Sequence, residues 1–423
     1  MTAQFSADGG GIGTAVARRL VLADAAYQYT LAPVADAPVL VVDLAPEEGT
    51  GTRAAEYLRQ KDTVARAIAV VDADGGVGEL AVPAEPLAAW AGTGLDEAFV
   101  DHLRTALPSA GQVRDTGSVD AALAALGPVM LLRTHAGEPQ PCTEVLMCTR
   151  IRSIGAVFVR VAQFDHAADA DVAELVTSAF KYRTELEDFV RVEGNAYVGY
   201  EKDIEIEEKI TLVDDAAIWP LTKSLWTAVE KGNFPGFFTD PGYELSRWHF
   251  VQYNFEVLAP EDEVGHYAFQ SRADGTYRLK MKKFAKDSLR RIETFRNGLD
   301  IPGEDFEGYL AREFPELSFR RLPGLRRTKF DINVQSATTG HCFGIETDEI
   351  TLSDGTGRKM RQVETEYLET RRHLGMDGTT IDSELSRLTG LVEAHLAGLG
   401  IAADRGLYSK LSFLRDSSRS AEL

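Results

Sequence analysis

Cysteine is scarce in this sequence. Its three cysteines, Cys142, Cys148 and Cys342, are too few and too scattered for a disulfide framework or a thiolate zinc site. A reducing, cytoplasmic setting is the simplest expectation. Long apolar runs are missing too: nowhere do about 18 apolar residues follow one another, so no transmembrane helix is expected. The first residues lack a basic stretch followed by an apolar run, so no secretory signal is expected. Positive charge is in short supply. Lys and Arg number 45 against 65 Asp and Glu, a formal net charge of −20. Such a field repels phosphate at long range and argues against a generic binder of nucleic acid or of an anionic membrane. It leaves room for a local basic pocket within an acidic shell. Neither a Walker loop nor a nucleophile elbow is present. The Gly-rich run at 9–13 has no apolar strand before it and reads as a tail, and Asp72 and Asp74 beside Gly75 and Gly76 read as a turn rather than a calcium loop.

The 423 residues, 44% of them hydrophobic, suffice for two or three domains. Residues 15–165 are rich in Ala, Val, Leu, Gly and Asp and poor in Lys. Apolar runs at 39–44, 67–71, 129–132 and 156–162 predict strands, and the patterns at 51–59, 95–107 and 119–126 predict helices. An amphipathic helix is expected over 169–191. From about 196 aromatics, Glu, Lys and Arg increase and short alternating segments take over. The boundary is placed at 192–200, giving an α/β or α+β domain over 1–195 and a second domain over 196–423. In the second, eight strands are predicted, at 205–213, 249–258, 264–272, 276–284, 289–295, 326–334, 342–352 and 361–369. Helices are predicted at 217–230, 306–313 and 381–399. Eight is the strand number at which a small closed antiparallel barrel leaves room for side chains or one ligand. The fold class is therefore α+β, with a C-terminal eight-stranded antiparallel barrel and flanking helices.

The first of those strands is the most informative segment. With the two-residue period of a strand, Glu205, Glu207 and Lys209 share one face. Glu364 and Glu366 share a face of the last strand. Between them lie basic strands in which Lys280 pairs with Lys282, Arg291 with Glu293, and Arg327 with Lys329, while Arg272 closes the strand before the Asp274-Gly275 turn, a hairpin signal. Charge alternating along one strand suits a solvated face, but a solvated face needs no particular order of sign. An acidic first strand, basic middle strands and an acidic last strand suit a cavity that holds a metal-bound polyphosphate. Lys and Arg would grip the phosphates, and carboxylate oxygens are the expected donors for Mg²⁺ or Mn²⁺. The tryptophans Trp219, Trp226 and Trp248 are expected to pack outside the barrel.

These residues resemble, in order, the motifs of the CYTH domain of the triphosphate tunnel metalloenzymes, over about 202–415. The first-strand Glu-x-Glu-x-Lys is matched by Glu205, Glu207 and Lys209. The later basic strands look like Lys280 or Lys282, Arg291/Glu293 and Arg327/Lys329. An Asp-Glu-hydrophobic segment looks like Asp348-Glu349-Ile350, the closing Glu-x-Glu is Glu364/Glu366, and the Ser/Lys/Tyr-rich ending lies around Tyr408-Ser409-Lys410. Gln270 stands where the family usually carries the first basic residue of an Arg-x-Arg strand. The resemblance implies a metal-dependent triphosphatase acting on inorganic tripolyphosphate or a nucleoside triphosphate. Glu205, Glu207, Glu364 and Glu366 would be metal ligands. Arg272, Lys280, Arg291, Arg327 and Lys329 would bind substrate, and Lys209 and Lys282 would act in catalysis, one of them as a lysine of lowered pKa. It leaves open an adenylate cyclase making cyclic AMP and pyrophosphate, a non-catalytic polyphosphate sensor, and a homo-oligomer.

Overall fold

The computed structural model describes residues 16–24, 39–47, 51–71, 76–92, 94–109, 119–137, 140–182, 196–284 and 286–421. The described residues divide into two compact units. Those up to Tyr197, with Ala337–Gly340 and Arg372–Met376, form the first, and the remainder form the second.

The first unit is built on an open eight-stranded antiparallel sheet. Its strands are β1 (Ala17–Asp24), β2 (Val39–Asp43), β3 (Ala55–Arg59), β4 (Ala67–Val71), β5 (Val77–Leu80), β6 (Leu126–His135), β7 (Cys142–Arg152) and β8 (Gly155–Asp165), in the order β3–β8–β7–β6–β1–β2–β4–β5. Alternate residues of one strand enter two separate apolar clusters. Leu20, Leu22, Leu131 and Phe158 meet Phe99, Leu103 and Leu107 of α1 (Glu97–Ser109) and Leu123 of α2 (Val119–Ala125). Val21, Met130, Leu132 and Val145 meet Leu175, Val176 and Ala179 of α3 (Val172–Phe180) on the other side. A sheet covered on both faces needs apolar side chains on both, so its strands read as unbroken apolar runs. Two expectations are corrected. The segment 51–59 carries strand β3 rather than a helix. It pairs with the edge of β8, and Glu56 ion-pairs Arg18, so sheet contacts override a weak helical pattern. The helix expected over 169–191 ends at Phe180, where the backbone N–H of Lys181 closes it onto Ala179 and Ser178; 183–191 lie outside the described residues, as do 9–13 and 72–75.

The second unit is a closed barrel. Its strands are β9 (Ile204–Leu212), β10 (Leu245–Ala259), β11 (Gly265–Ser271), β12 (Tyr277–Lys283), β13 (Arg290–Leu299), β14 (Ser318–Ser336), β15 (His341–Leu352) and β16 (Lys359–Arg371). They run β9–β13–β12–β11–β10–β14–β15–β16, and β16 returns to β9. All neighbours are antiparallel, and all eight predicted strands are present. Closure leaves no edge to protect. Gly275, with φ +81°, makes the β11–β12 turn, and the Asp274 side chain accepts from the Thr276 backbone N–H at 3.0 Å.

Most apolar residues of these strands point outward. Ile206 and Ile210 of β9, with Ile345 and Val363, are buried beneath Leu221, Leu225 and Val229 of α4 (Ile218–Glu230) and Leu385, Leu388 and Val392 of α6 (Ile381–Gly398). Truncating one such leucine to Ala costs about 2–5 kcal/mol. Phe306, Tyr309 and Leu310 of α5 (Phe306–Glu313) cover β10–β12 from outside, whereas Leu411 and Leu414 of α7 (Lys410–Ala421) pack on Leu325, Ile350 and Met360, which share the inner face with Arg327, Asp348 and Glu364. With the apolar face spent on helices, the other face of every strand is turned into the barrel. No helix among the described residues is long and apolar enough to cross a membrane.

Candidate active site

Because β9 alternates strictly, burying Ile206 and Ile210 outside sends Glu205, Glu207 and Lys209 inside. The registers then stack the other charges around them. Glu205 lies opposite Arg291, Glu207 opposite Glu366 and Lys209 opposite Glu364; Lys282 lies opposite Glu293, and Asp348 opposite Lys329. One cavity is lined by seven cations (Lys209, Lys280, Lys282, Arg291, Arg327, Lys329, Lys410) and five glutamates (Glu205, Glu207, Glu346, Glu364, Glu366).

The cations are held by the carboxylates. Lys282 Nζ is 2.5 Å from Glu205 and 3.2 Å from Glu293; Lys280 Nζ is 2.8 Å from Glu293. Arg291 pairs with Glu207 and lies 3.2 Å from Glu205. Lys209 pairs with Glu207 and stands 3.5 Å from Glu364. Arg327 is 2.5 Å from Asp348 and 3.4 Å from Glu364, Lys329 is 2.8 Å from Glu346, and Lys410 is 2.7 Å from Glu364 and 3.2 Å from Asp348. Glu366 differs: among the described residues no ion pair reaches it.

These surroundings set the proton affinities. Burial disfavours the carboxylate of Glu205, but Lys282, Lys280 and Arg291 outweigh it and hold the group well below the usual range. Lys410, Lys209 and Arg327 do the same for Glu364. Glu366 is pushed well above it by burial, Glu346 and Glu205. Among the lysines, burial pulls Lys209 down. Burial and Arg327 bring Lys410 to about 8. Lys282 goes the other way: its burial is outweighed by Glu205 and Glu293, so its ammonium is reinforced. That reverses the expectation of a lowered pKa at Lys282.

Of the residues singled out in the sequence, Glu205, Glu207, Lys209, Lys280, Lys282, Arg291, Arg327, Lys329, Glu364 and Glu366 come together here. Arg272 does not. It lies exposed at the β11–β12 turn, 3.6 Å from Asp274, because the strand ends before its side chain can turn inward. Glu346 and His266 line the cavity without having been singled out in the sequence, and Lys410 was named there only as part of the Ser/Lys/Tyr-rich ending, with no role in the site. Glu346 was visible as the first acid of a Glu-x-Asp alternation with Asp348 on β15. Lys410 opens a helix and belongs to no strand period.

The barrel has two unlike ends. On the inner face of β10 the residues run Glu256, Asn254, Gln252, Phe250, Trp248. At the Glu256 end Arg415 of α7 reaches Glu256 at 2.6 Å, and Ser409, Lys410 and Leu411 line the cavity, so α7 lies across that end. At the other end Trp248 donates to Asp331, beside Lys329. Trp248 therefore belongs to the inner face at the rim and not to the barrel exterior, where Trp219 does lie, against Phe330.

The fit of a divalent ion rests on donor chemistry. Glu207 faces Glu366, and Glu346 faces Glu364, across adjacent strands. Like charges in that position repel unless a cation intervenes, and carboxylate oxygens suit hard divalent ions. No group of three His, Cys, Asp or Glu side chains among the described residues is already gathered as a metal site; Glu205, Glu207, Glu346 and Glu364 ion-pair Lys and Arg instead.

No family description and no curated protein matches the chain. Among solved structures, HpAC1 from Hippeastrum, a candidate adenylyl cyclase described with a dominant triphosphatase activity, is 18% identical with a TM-score of 0.29, over 50% of this chain and 96% of that one. The S. pombe RNA triphosphatase Pct1 is 12% identical with a TM-score of 0.22, over 59% and 92%. The di-domain aromatase/cyclase StfQ of steffimycin biosynthesis is 10% identical with a TM-score of 0.17, over 82% and 85%. Likenesses of this size carry no argument about function.

Proposed function

We propose that the barrel binds a triphosphate and hydrolyses its terminal anhydride. The observation that carries this reading is the convergence of seven cations and five glutamates on one interior. A buried set of ion pairs is a costly way to hold a fold together, since apolar residues of equal volume serve as well or better. It is an economical way to keep phosphate-binding cations in place without ligand. Entry of a polyphosphate would exchange carboxylate partners for phosphate oxygens on Lys280, Lys282, Arg291, Arg327 and Lys329, and the freed glutamates would become available as donors.

Glu205, Glu207, Glu364 and Glu366 are the residues we assign to Mg²⁺ or Mn²⁺, which when bound would neutralise charge developing on the phosphoryl oxygens. The chain's own part is to align the phosphates and to accept a proton. A water oxygen bonds to the terminal phosphorus, the bridging oxygen leaves with the remaining diphosphate, and the water's proton passes to a neutral amine and then to solvent. Lys209 and Lys410, both with weakened ammonium forms, are the candidates for that amine. Lys282, firmly cationic, is assigned to charge stabilisation.

The test is orthophosphate release from ATP and from tripolyphosphate on addition of Mg²⁺ or Mn²⁺. Release that starts with the ion and stops with EDTA supports the reading. Its absence with both substrates and both ions overturns it.

A further inference from the structure

At its open end the cavity adds exposed rings to its charged groups, Trp248 opposite Lys329 and Phe295 opposite Lys280. Opposite the end crossed by α7, the rim carries apolar side chains that share the inner face with the charged residues. Phe295 follows Arg291 and Glu293 along β13 at the same period, and Trp248 follows Gln252 and Phe250 along β10. Both are exposed, Trp248 at 52% and Phe295 at 39%. Each is fixed by a polar neighbour. The Trp248 indole N–H donates to Asp331 at 2.6 Å, and the Arg278 guanidinium lies 3.7 Å from the Phe295 ring centre.

From the rim inward, the inner face of the β10–β11 wall carries a row of neutral polar side chains. Gln270 Nε2 donates to Gln252 Oε1 at 3.2 Å across β10 and β11, and Gln252 Nε2 donates to Asn254 Oδ1 at 2.5 Å. All three are buried. His266, 3.1 Å from Asn254 Oδ1 and opposite Glu256 and Lys282, ends the row toward α7. A ligand made only of phosphate gains nothing from a neutral amide wall or from exposed rings. An aromatic ring with amide-like edges gains from both: amides match donor–acceptor edges of bases, and flat side chains stack on their faces.

We infer that the substrate is a nucleoside triphosphate, bound with its phosphates toward α7 and its base at the rim by Trp248, Phe295 and the Gln252–Gln270 pair. The inference rests on the triphosphate reading and narrows it, setting inorganic tripolyphosphate aside. The chain's net charge of −20 favours a free nucleotide over the end of a nucleic-acid strand, whose further phosphates it repels.

The experiment compares ATP, UTP and tripolyphosphate in two ways on the full chain. One is kcat/KM with Mg²⁺; the other is calorimetric affinity, with Mg²⁺ and separately in EDTA. The expected result is at least tenfold higher kcat/KM and tighter binding for the nucleotides. Trp248→Leu should lower the ratio of nucleotide to tripolyphosphate about tenfold in both measurements, the scale of one lost base-stacking contact. Phe295→Leu, also at an exposed position, gives a second variant should the first fold poorly. ATP should also quench a fluorescence component that the Trp248 variant lacks. Equal or better use of tripolyphosphate, or an unchanged ratio in both variants, overturns the inference and leaves the hydrolytic reading standing. If no compound turns over, that reading fails, and the affinities alone decide: nucleotide preference lost in Trp248→Leu upholds the base site, and no preference refutes it.

Discussion

Both sheets bury arginine and glutamate, to different ends. In the first unit Glu144, fully buried, receives Arg133 at 2.5 Å, Arg160 at 2.7 Å, His135 at 2.8 Å and the Arg53 backbone N–H at 3.1 Å. Arg133 in turn lies 2.9 Å from Glu47. This is a knot on the sheet face that also carries Leu131, Leu146 and Phe158, with both oxygens of its central carboxylate in use. In the barrel the charges line a cavity, each of the seven cations has a carboxylate partner, and among the described residues no ion pair reaches Glu366. A saturated network holds a sheet; one with a surplus carboxylate on a shared cavity is prepared to exchange partners. An open sheet covered on both faces has no inside for such a cavity, and a closed one does.

The comparison predicts that equivalent lesions have opposite consequences. Glu205→Gln with Glu207→Gln removes two donors at little cost in volume and should lower phosphate release more than about a hundredfold, with cooperative melting retained. Unimpaired metal-dependent turnover would remove both residues from the site. In the other unit, Glu144→Ala leaves Arg133 and Arg160 buried without their partner. It should cost about 3–5 kcal/mol of stability in denaturant unfolding while kcat/KM changes less than about twofold. A loss of turnover as large as that in the barrel variant would erase the distinction between the two clusters.

Much of this was legible because strand period and burial agree. The alternation of Glu205, Glu207 and Lys209 against Ile206 and Ile210 settles which face is inside, and all eight barrel strands follow from the same reading. The apolar runs of β2, β4, β6 and β8 were legible for the complementary reason, having both faces buried. What was not legible depends on contacts that the local pattern does not encode. β3 carries no strand alternation and is held by pairing with β8. Arg272 has the right residue type but sits past the end of its strand. Lys410 reaches the cavity from a helix that crosses the barrel's end, and Trp248 looked like an exterior aromatic until its register opposite Lys329 placed it on the inner face. The direction of the Lys282 shift needed Glu293 beside it, which only the β12–β13 pairing supplies.

Two smaller effects sharpen the contrast. If Lys410 accepts the proton it must be neutral, so kcat should rise with pH and level off above about 8. Lys410→Met should lower kcat at pH 8.5 at least about tenfold and flatten that rise; an unchanged profile would pass the role to Lys209. Glu366 has a raised folded pKa. Its contribution to stability is present below the unfolded value near 4.5 and is lost as pH climbs through the folded one. Glu366→Gln should therefore raise the Tm of the ligand-free protein at pH 7.5 by about 2–4 °C, the equivalent of about 1 kcal/mol, and should not do so at pH 4. Glu205→Gln, which removes a carboxylate stabilised by three cations, should lower it instead. The same sign for both would mean that Glu366 is not the surplus charge.

The most direct test of the barrel as a triphosphate hydrolase is chromatography of the products formed from ATP with Mg²⁺ or Mn²⁺. The account predicts ADP and orthophosphate in equal amounts, formed faster at mildly alkaline pH. Cyclic AMP with pyrophosphate would contradict it in favour of ring closure by the ribose hydroxyl, and tight binding of intact ATP with no product would make the barrel a nucleotide sensor.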